Sequence, residues 1–265
     1  MKTTRRLDLV LVERGLAPSR EQARALVLGG RVQVAGQRMD KAGAAVNPAA
    51  AIEVEGGLPY VGRGGLKLAG ALDLFGIGVQ DLVAVDVGAS TGGFTDCLLQ
   101  RGASKVYAID VGYGQLAWKL QSDPRVVRLD RVNIRTATPA LLPEPCDLAV
   151  IDVSFISLRL VLAPALALLR DGGQVVALVK PQFEVGRGRV GKGGIVRDPD
   201  LWREVLGGLV DHGVAAGHAV IDWCESPIAG ADGNREFFLL IGKGGAGDRS
   251  ATIRSAVAAW RPGGA

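Results

Sequence analysis

Three charged residues each close a short apolar run: Asp110 after Val106–Ile109, Asp152 after Leu148–Ile151, and Lys180 after Val175–Val179. Runs of this length predict buried parallel strands. In an open α/β sheet the carboxyl ends of such strands border one crevice, where ligands bind. A carboxylate there can accept hydrogen bonds from ribose hydroxyls, and a lysine facing a carboxylate can hold or move a proton. The segment Val83–Phe94, VAVDVGASTGGF, adds a second component. An apolar run ending at Asp86 enters a turn punctuated by Gly88, Gly92 and Gly93, and Phe94–Gln100 begins a helical pattern. A strand, a glycine turn and a helix bring backbone close to a nucleotide-like ligand. The turn is not the dinucleotide fingerprint GxGxxG, because Ala89, Ser90 and Thr91 interrupt the required glycines. Alone, it indicates a nucleoside ligand.

The elements that must position these residues follow from the alternation of strand and helix patterns after Leu82, which predicts a doubly wound α/β sheet. A third strand, Val126–Leu129, ends at Asp130. Two closing runs, Gly217–Asp222 and Arg235–Ile241, are joined through a Pro/Gly-rich loop and suggest a reversed final hairpin. That arrangement belongs to S-adenosylmethionine methyltransferases rather than NAD enzymes. The expected fold is therefore a Rossmann-like seven-stranded sheet with a reversed last strand over residues 66–245. Residues 246–265 predict one helix, Arg249–Trp260, and a fraying tail. Gly186–Gly193 approaches a phosphate-binding P-loop, but Gly193 replaces the Ser/Thr hydroxyl. EVGRGRVGKGG reads instead as a mobile basic loop, with Arg187 and Lys192 available to a substrate backbone.

Upstream, residues 7–55 have their own pattern. Leu7–Arg14 and Arg20–Leu28 carry apolar residues at helical spacing, with Ser19 as N-cap and Gly29-Gly30 as the stop. Val32–Val34 and Ile52–Val54 alternate as short strands, with Ala35-Gly36-Gln37 as a turn. Residues 1–58 thus predict a small α+β domain. The glycines at 62, 64 and 65 extend the break into a linker over 59–65, and Leu66–Phe75 begins the larger domain. The 265 residues carry a net charge of +4, and residues 1–41 hold nine Lys/Arg against four Asp/Glu. A basic excess confined to one segment points to a phosphate-rich partner for that segment. Three cysteines and two histidines make neither a disulfide framework nor a metal-ligand pattern, so no metal is expected. The longest apolar stretch, Val161–Leu169, is nine residues and contains Pro164, against about 20 for a membrane span. The first residues mix Asp8 and Glu13 into the apolar pattern and do not read as a signal peptide. A cytoplasmic protein with no membrane partner is expected.

Residues 6–36 resemble the αL RNA-binding domain named after a primary small-subunit ribosomal protein. The matching points are Arg6-Leu7-Asp8, Gly15, Ser19-Arg20, Ala23, Gly30, Val32, Val34 and Gly36; Ala35 departs from the family's Asn. Arg6, Arg20, Arg24 and Arg31 are the candidate phosphate contacts, since guanidinium forks match phosphate oxygens. Residues 61–244 resemble the FtsJ-type ribose methyltransferases, through RGGLKL at 63–68, DVGASTGGFTD at 86–96, DVSFISL at 152–158, VKPQFE at 179–184, GKGGIVRDP at 191–199 and GNREFFL at 233–239. With the αL domain in front, nearly the whole chain is similar to the TlyA family of rRNA cytidine 2′-O-methyltransferases, also labelled haemolysin-A-like. The resemblance implies S-adenosylmethionine as cofactor, ribosomal RNA or assembled subunits as partner, and a Lys-Asp-Lys-Glu tetrad at Lys67, Asp152, Lys180 and Glu236. It implies that Gly88, Ala89, Ser90, Gly92 and Gly93 lie at the methionine end of the cofactor, Asp110 at its ribose and Asp130 near its adenine. Lys180 is the candidate base or hydroxyl orienter. Desolvation and Lys67 would lower its pKa, and Asp152 would raise it. Two other readings are a non-catalytic RNA-binding module, against which the intact tetrad speaks, and a membrane-active haemolysin, against which the lack of a spanning or basic amphipathic segment speaks.

Overall fold

In the computed structural model, which describes residues 4–14, 16–17, 20–55, 59–186, 188–230 and 233–262, the chain separates into two units, with the division between Leu66 and Lys67.

The first unit pairs β1 (Arg5–Arg6), α1 (Leu7–Glu13) and α2 (Arg20–Leu28) with the short strands β2 (Val32–Val34), β3 (Gln37–Met39), β4 (Ala45–Val46) and β5 (Ile52–Val54). β3-β2-β5 form one antiparallel sheet and β1-β4 a second. Leu7, Val10 and Leu11 recur at helical spacing on α1 and are buried with Ala23 and Val27 of α2 and Val32 of β2. α2 ends as expected at Gly29-Gly30, where Arg31 N–H donates to Leu26 O and Gly30 N–H to Val27 O. The expected cap Ser19 and the matching Gly15 lie outside the described residues.

Ala35 and Gly36 are the two central residues of the β2–β3 hairpin, and both have positive φ, 50° and 78°. This is the left-handed geometry that a two-residue hairpin turn needs, and an alanine Cβ is disfavoured there. Ala35→Asn is therefore expected to stabilise this unit by about 1 kcal/mol. Slower hydrogen exchange at the Val34 and Gln37 amides would register the gain, and unchanged exchange would contradict it.

The second unit continues α3 (Arg63–Phe75) and then builds β6 (Val83–Val87), α4 (Gly93–Gln100), β7 (Lys105–Asp110), α5 (Trp118–Gln121), β8 (Val126–Asp130) and β9 (Cys146–Ile151). α6 (Leu162–Ala167), β10 (Leu169–Val179), α7 (Pro181–Glu184), α8 (Pro199–Ala215), β11 (Ala219–Glu225), β12 (Phe237–Gly242) and α9 (Ser250–Ala259) complete it. Gly64 and Gly65, expected in the linker, instead lie within the first turn of α3. The sheet order is β11-β12-β10-β9-β6-β7-β8. β12 runs antiparallel to both its neighbours, and the other contacts are parallel. The seven-stranded sheet with its reversed last strand is thus as expected.

β10 starts six residues before the expected Val175, because Leu169 pairs with Cys146 ahead of an irregularity that ends at Gln174. α8 is stopped at its N-terminus by Asp198, whose carboxylate accepts from Asp200 N–H, with Pro199 in the first turn. α9 lies within the expected Arg249–Trp260, and its Ile253 and Val257 are buried in the main core. Trp260, which follows α9, meets Phe237 edge-on at 5.3 Å and Trp202 at 5.9 Å. Among the described residues, no helix is long and apolar enough to cross a membrane.

Candidate active site

The sheet order reverses at β6: its chain continues to β7 on one side, while β9 flanks it on the other. Ligands bind α/β sheets at such switch points. A cavity of about 1040 Å³ opens there, lined among others by Gly88, Ser90, Asp110, Arg135, Asp152 and Phe183. Gly88 has φ +86°, and a Cβ on it would lie 2.4 Å from Asp152 O. A glycine is thus required where the ends of β6 and β9 pack backbone to backbone.

The glycine turn is internally bonded. Gly88 and Ala89 N–H donate to Ile109 O, and Ser90 N–H donates to Asp110 Oδ2 at 2.8 Å. Gly112 N–H donates to Asp110 Oδ1 at 2.6 Å. Two backbone donors thus fix the Asp110 carboxylate on the cavity wall, and each oxygen keeps a lone pair for a hydroxyl. Gly92 and Gly93 are not among the residues lining the cavity. Both are buried, and a Cβ on Gly92 would meet Leu120 at 2.2 Å and Leu116 at 2.8 Å, away from the cavity. A bulky residue at 92 would disrupt the packing of α4 rather than plug the cavity. Ala89 is also buried, and with Asp130, which accepts from Gly114 N–H at 3.3 Å, it lines a small void that shares Ser90, Asp110 and Gln115 with the cavity.

The four tetrad residues meet as two ion pairs. Lys67, on α3, is buried and donates to Glu236 Oε2 at 2.5 Å; Glu236 immediately precedes β12 and is 3% exposed. An interior strand, not an edge strand, follows Glu236. Burial raises the Glu236 pKa, and the charges of Lys67 and Lys180 oppose that rise. Lys180 Nζ lies 2.5 Å from Asp152 Oδ1, at angles outside those of a hydrogen bond, and donates properly to Ser154 Oγ at 3.0 Å. The Lys180–Asp152 contact is therefore an ion pair, with the directed bond going to Ser154. Asp152 also acts on the Glu236 charge, so the two pairs form one electrostatic cluster.

Several residues that sequence reasoning did not single out support this cluster. Glu184 accepts from Ser157 Oγ at 2.6 Å and from Leu158 N–H at 2.7 Å, tying α7 to the segment after β9. The Phe155 and Phe183 rings stand 5.0 Å apart across the same two segments. Asp86 is fully buried at the end of β6, and its Oδ2 accepts from both Thr95 N–H and Thr95 Oγ. Its signal was present in the sequence, as an acid closing an apolar run, but no role attached to it.

Burial pushes the Asp86 carboxyl up to about 7; the Thr95 bonds oppose this, and the nearby Asp152 and Asp110 charges add to it. A carboxyl raised above its unfolded value keeps its proton longer in the native state. The stability it contributes is full below the unfolded pKa near 3.8 and is lost as pH rises through about 7. Asp86→Asn is expected to flatten that slope. Urea midpoints measured from pH 5 to 8 would show it, and equal slopes for both proteins would contradict it.

In the first unit, Arg6 and Arg20 have a structural partner that was not anticipated. Arg6 donates Nε and Nη2 to Asp8 at 3.0 and 2.9 Å, and Arg20 Nε reaches the same carboxylate at 2.9 Å. These cations hold the buried Asp8 carboxyl well below the usual carboxylate range. Both arginine side chains are still about half exposed, 50% and 55%. Arg31 donates to Glu55 O, and Arg24 is exposed on α2. Arg187 lies outside the described residues, and Lys192 is exposed on the glycine loop.

Comparison with known proteins agrees with this geometry. The FtsJ-like methyltransferase model matches residues 60–243 and the S4 domain model matches residues 5–52. YqxC of Bacillus subtilis, named as a candidate rRNA methyltransferase, is 50% identical over 238 residues, covering 89% of this chain and 85% of that one. The 16S/23S rRNA (cytidine-2′-O)-methyltransferase TlyA of Mycobacterium tuberculosis is 45% identical, covering 89% of each. The chain belongs to the TlyA family of FtsJ-like methyltransferases. A solved structure from Streptococcus thermophilus, named as a candidate hemolysin, superposes with a TM-score of 0.80 at 43% identity, over 97% of this chain and 96% of that one. The S4 domain is the αL domain expected from residues 6–36. Membership of the family makes the chain an enzyme, a methyltransferase with an RNA-binding domain.

Proposed function

We propose that this enzyme transfers a methyl group from S-adenosylmethionine to the ribose 2′-hydroxyl of a cytidine in ribosomal RNA, in the cytoplasm. The observation that carries this reading is the cluster of two lysine–carboxylate contacts, one of which, through Asp152, borders the switch-point cavity. The residues present fit the cofactor: Asp110 offers oriented acceptors for ribose hydroxyls, and the close approach at Gly88 leaves the crevice open beside Ser90. S-adenosylmethionine, when bound, supplies an electrophilic methyl on a sulfonium that leaves as a neutral thioether and needs no proton.

The chain's own task is to hold the hydroxyl in line and remove its proton. Lys180 Nζ takes that role once it has given up a proton of its own to solvent: the neutral amine accepts the hydroxyl proton, with Ser154 fixing its direction, and the ammonium so re-formed returns to the ion pair with Asp152. Lys67 and Glu236 set the field around it. Arg6, Arg20, Arg24 and Arg31 of the S4 domain, with Arg187 and Lys192 of the glycine loop, hold phosphates; such contacts dominate affinity for RNA and weaken with salt. Purified ribosomal subunits incubated with methyl-labelled S-adenosylmethionine test the reading. Label should enter RNA and resist base removal. Label on a base, or on protein alone, would overturn it.

A further inference from the structure

The glycine loop is not free along its length. Asn234 is 2% exposed; its Oδ1 accepts from Val196 N–H at 2.9 Å and its Nδ2 donates to Gly194 O at 3.0 Å. The same stretch is held from the other side by Trp202 Nε1, which donates to Val196 O at 3.2 Å. Further back, Arg189 is paired with Glu204 of α8. The described part of the loop also supplies Gly186 and Val190 to the cavity wall. Its glycines at 186, 188, 193 and 194 all have positive φ, so the backbone itself does little to favour this one path.

Asn234 stands two residues before Glu236 on the approach to β12, and both are buried. Gly230 N–H donates to Asn234 O, and Ser226 N–H donates to Glu236 O. One segment thus carries the carboxylate that holds Lys67 and the carboxamide that holds the end of the glycine loop at Gly194 and Val196.

We propose that Asn234 is a positioning residue for methyl transfer: it locks the glycine loop to the Glu236 segment, so that the RNA strand and the tetrad are held in one frame. The proposal rests on the methyltransferase reading above and extends it to a residue outside the tetrad. A carboxamide suits the task because it satisfies one backbone donor and one backbone acceptor at once, which neither a carboxylate nor a hydroxyl can do with the same reach. Misplacement of a reacting group by about an ångström is enough to lower rate on the order of 100-fold.

The test uses the full chain and two variants, Asn234→Ala and the milder Trp202→Phe, which removes the indole donor to Val196 and trims the packing of that ring against Phe237 and Trp260. Three quantities are read: tryptic cleavage after Arg189 and Lys192, S-adenosylmethionine affinity by calorimetry, and kcat/KM on ribosomal subunits. Asn234→Ala should speed loop cleavage on the order of tenfold by local opening and lower kcat/KM on the order of 100-fold. Cofactor affinity should be unchanged. Trp202→Phe should move the same quantities in the same direction by less. Unchanged cleavage in both variants would overturn the proposal. So would a loss of cofactor affinity in step with activity, which marks general damage. Proteolysis needs no RNA, so failure of the wild-type chain to methylate RNA would count against the function reading while the loop's anchorage is still measured.

Discussion

Lys180→Ala is expected to lower methyl transfer to ribosomal RNA by about 10²–10⁴-fold, the range for loss of a positioned acid–base group, while S-adenosylmethionine affinity stays within a few-fold. The split follows from the geometry. Lys180 donates to Ser154 Oγ and lies against Asp152, whereas the acceptors we propose for the cofactor's ribose are on Asp110, fixed by Ser90 and Gly112. Removing the ammonium therefore leaves the Asp110 side of the cavity intact. Single-turnover rates with saturating cofactor, paired with calorimetry, measure the two effects separately. A variant that transfers methyl at the wild-type rate would remove Lys180 from the chemistry.

Breaking the second pair is expected to cost stability as well as activity. Lys67 and Glu236 side chains are 9% and 3% exposed, so removing one charge leaves the other buried without a counter-ion, at a cost of about 3–5 kcal/mol. Glu236→Gln and Lys67→Met should each lower the urea midpoint by a corresponding amount. The double variant Lys67→Met with Glu236→Leu should recover much of that loss, because a well-packed apolar pair can replace a buried ion pair. It should not recover methyl transfer. Stability and activity returning together would show the pair to be structural only.

The sheet and its strand ends were legible because buried parallel strands announce themselves as apolar runs, and Asp110, Asp152 and Lys180 each close one. The partnership of Lys67 with Glu236 was implied only by family resemblance, since the two are separated by 169 positions and no local periodicity records such a distance. The orientation of Gly92 was hidden for a related reason: Leu116 and Leu120, which pack on it, come from a later segment. Arg6 and Arg20 showed a basic surface, but their shared grip on Asp8 depends on a helix packing that charge counting cannot register. Asn234 gave a faint signal, two positions from Glu236 in GNREFFL. Its significance appears only when the glycine loop folds back over it.

The central claim is that the target atom is a ribose oxygen of cytidine in ribosomal RNA. The most direct measurement is mass spectrometry of nucleosides digested from ribosomal subunits before and after treatment with the enzyme and S-adenosylmethionine. The account predicts a gain of 2′-O-methylcytidine that is absent with the Lys180→Ala variant. A base-methylated nucleoside, a different 2′-O-methyl nucleoside, or equal gain with the variant would contradict it.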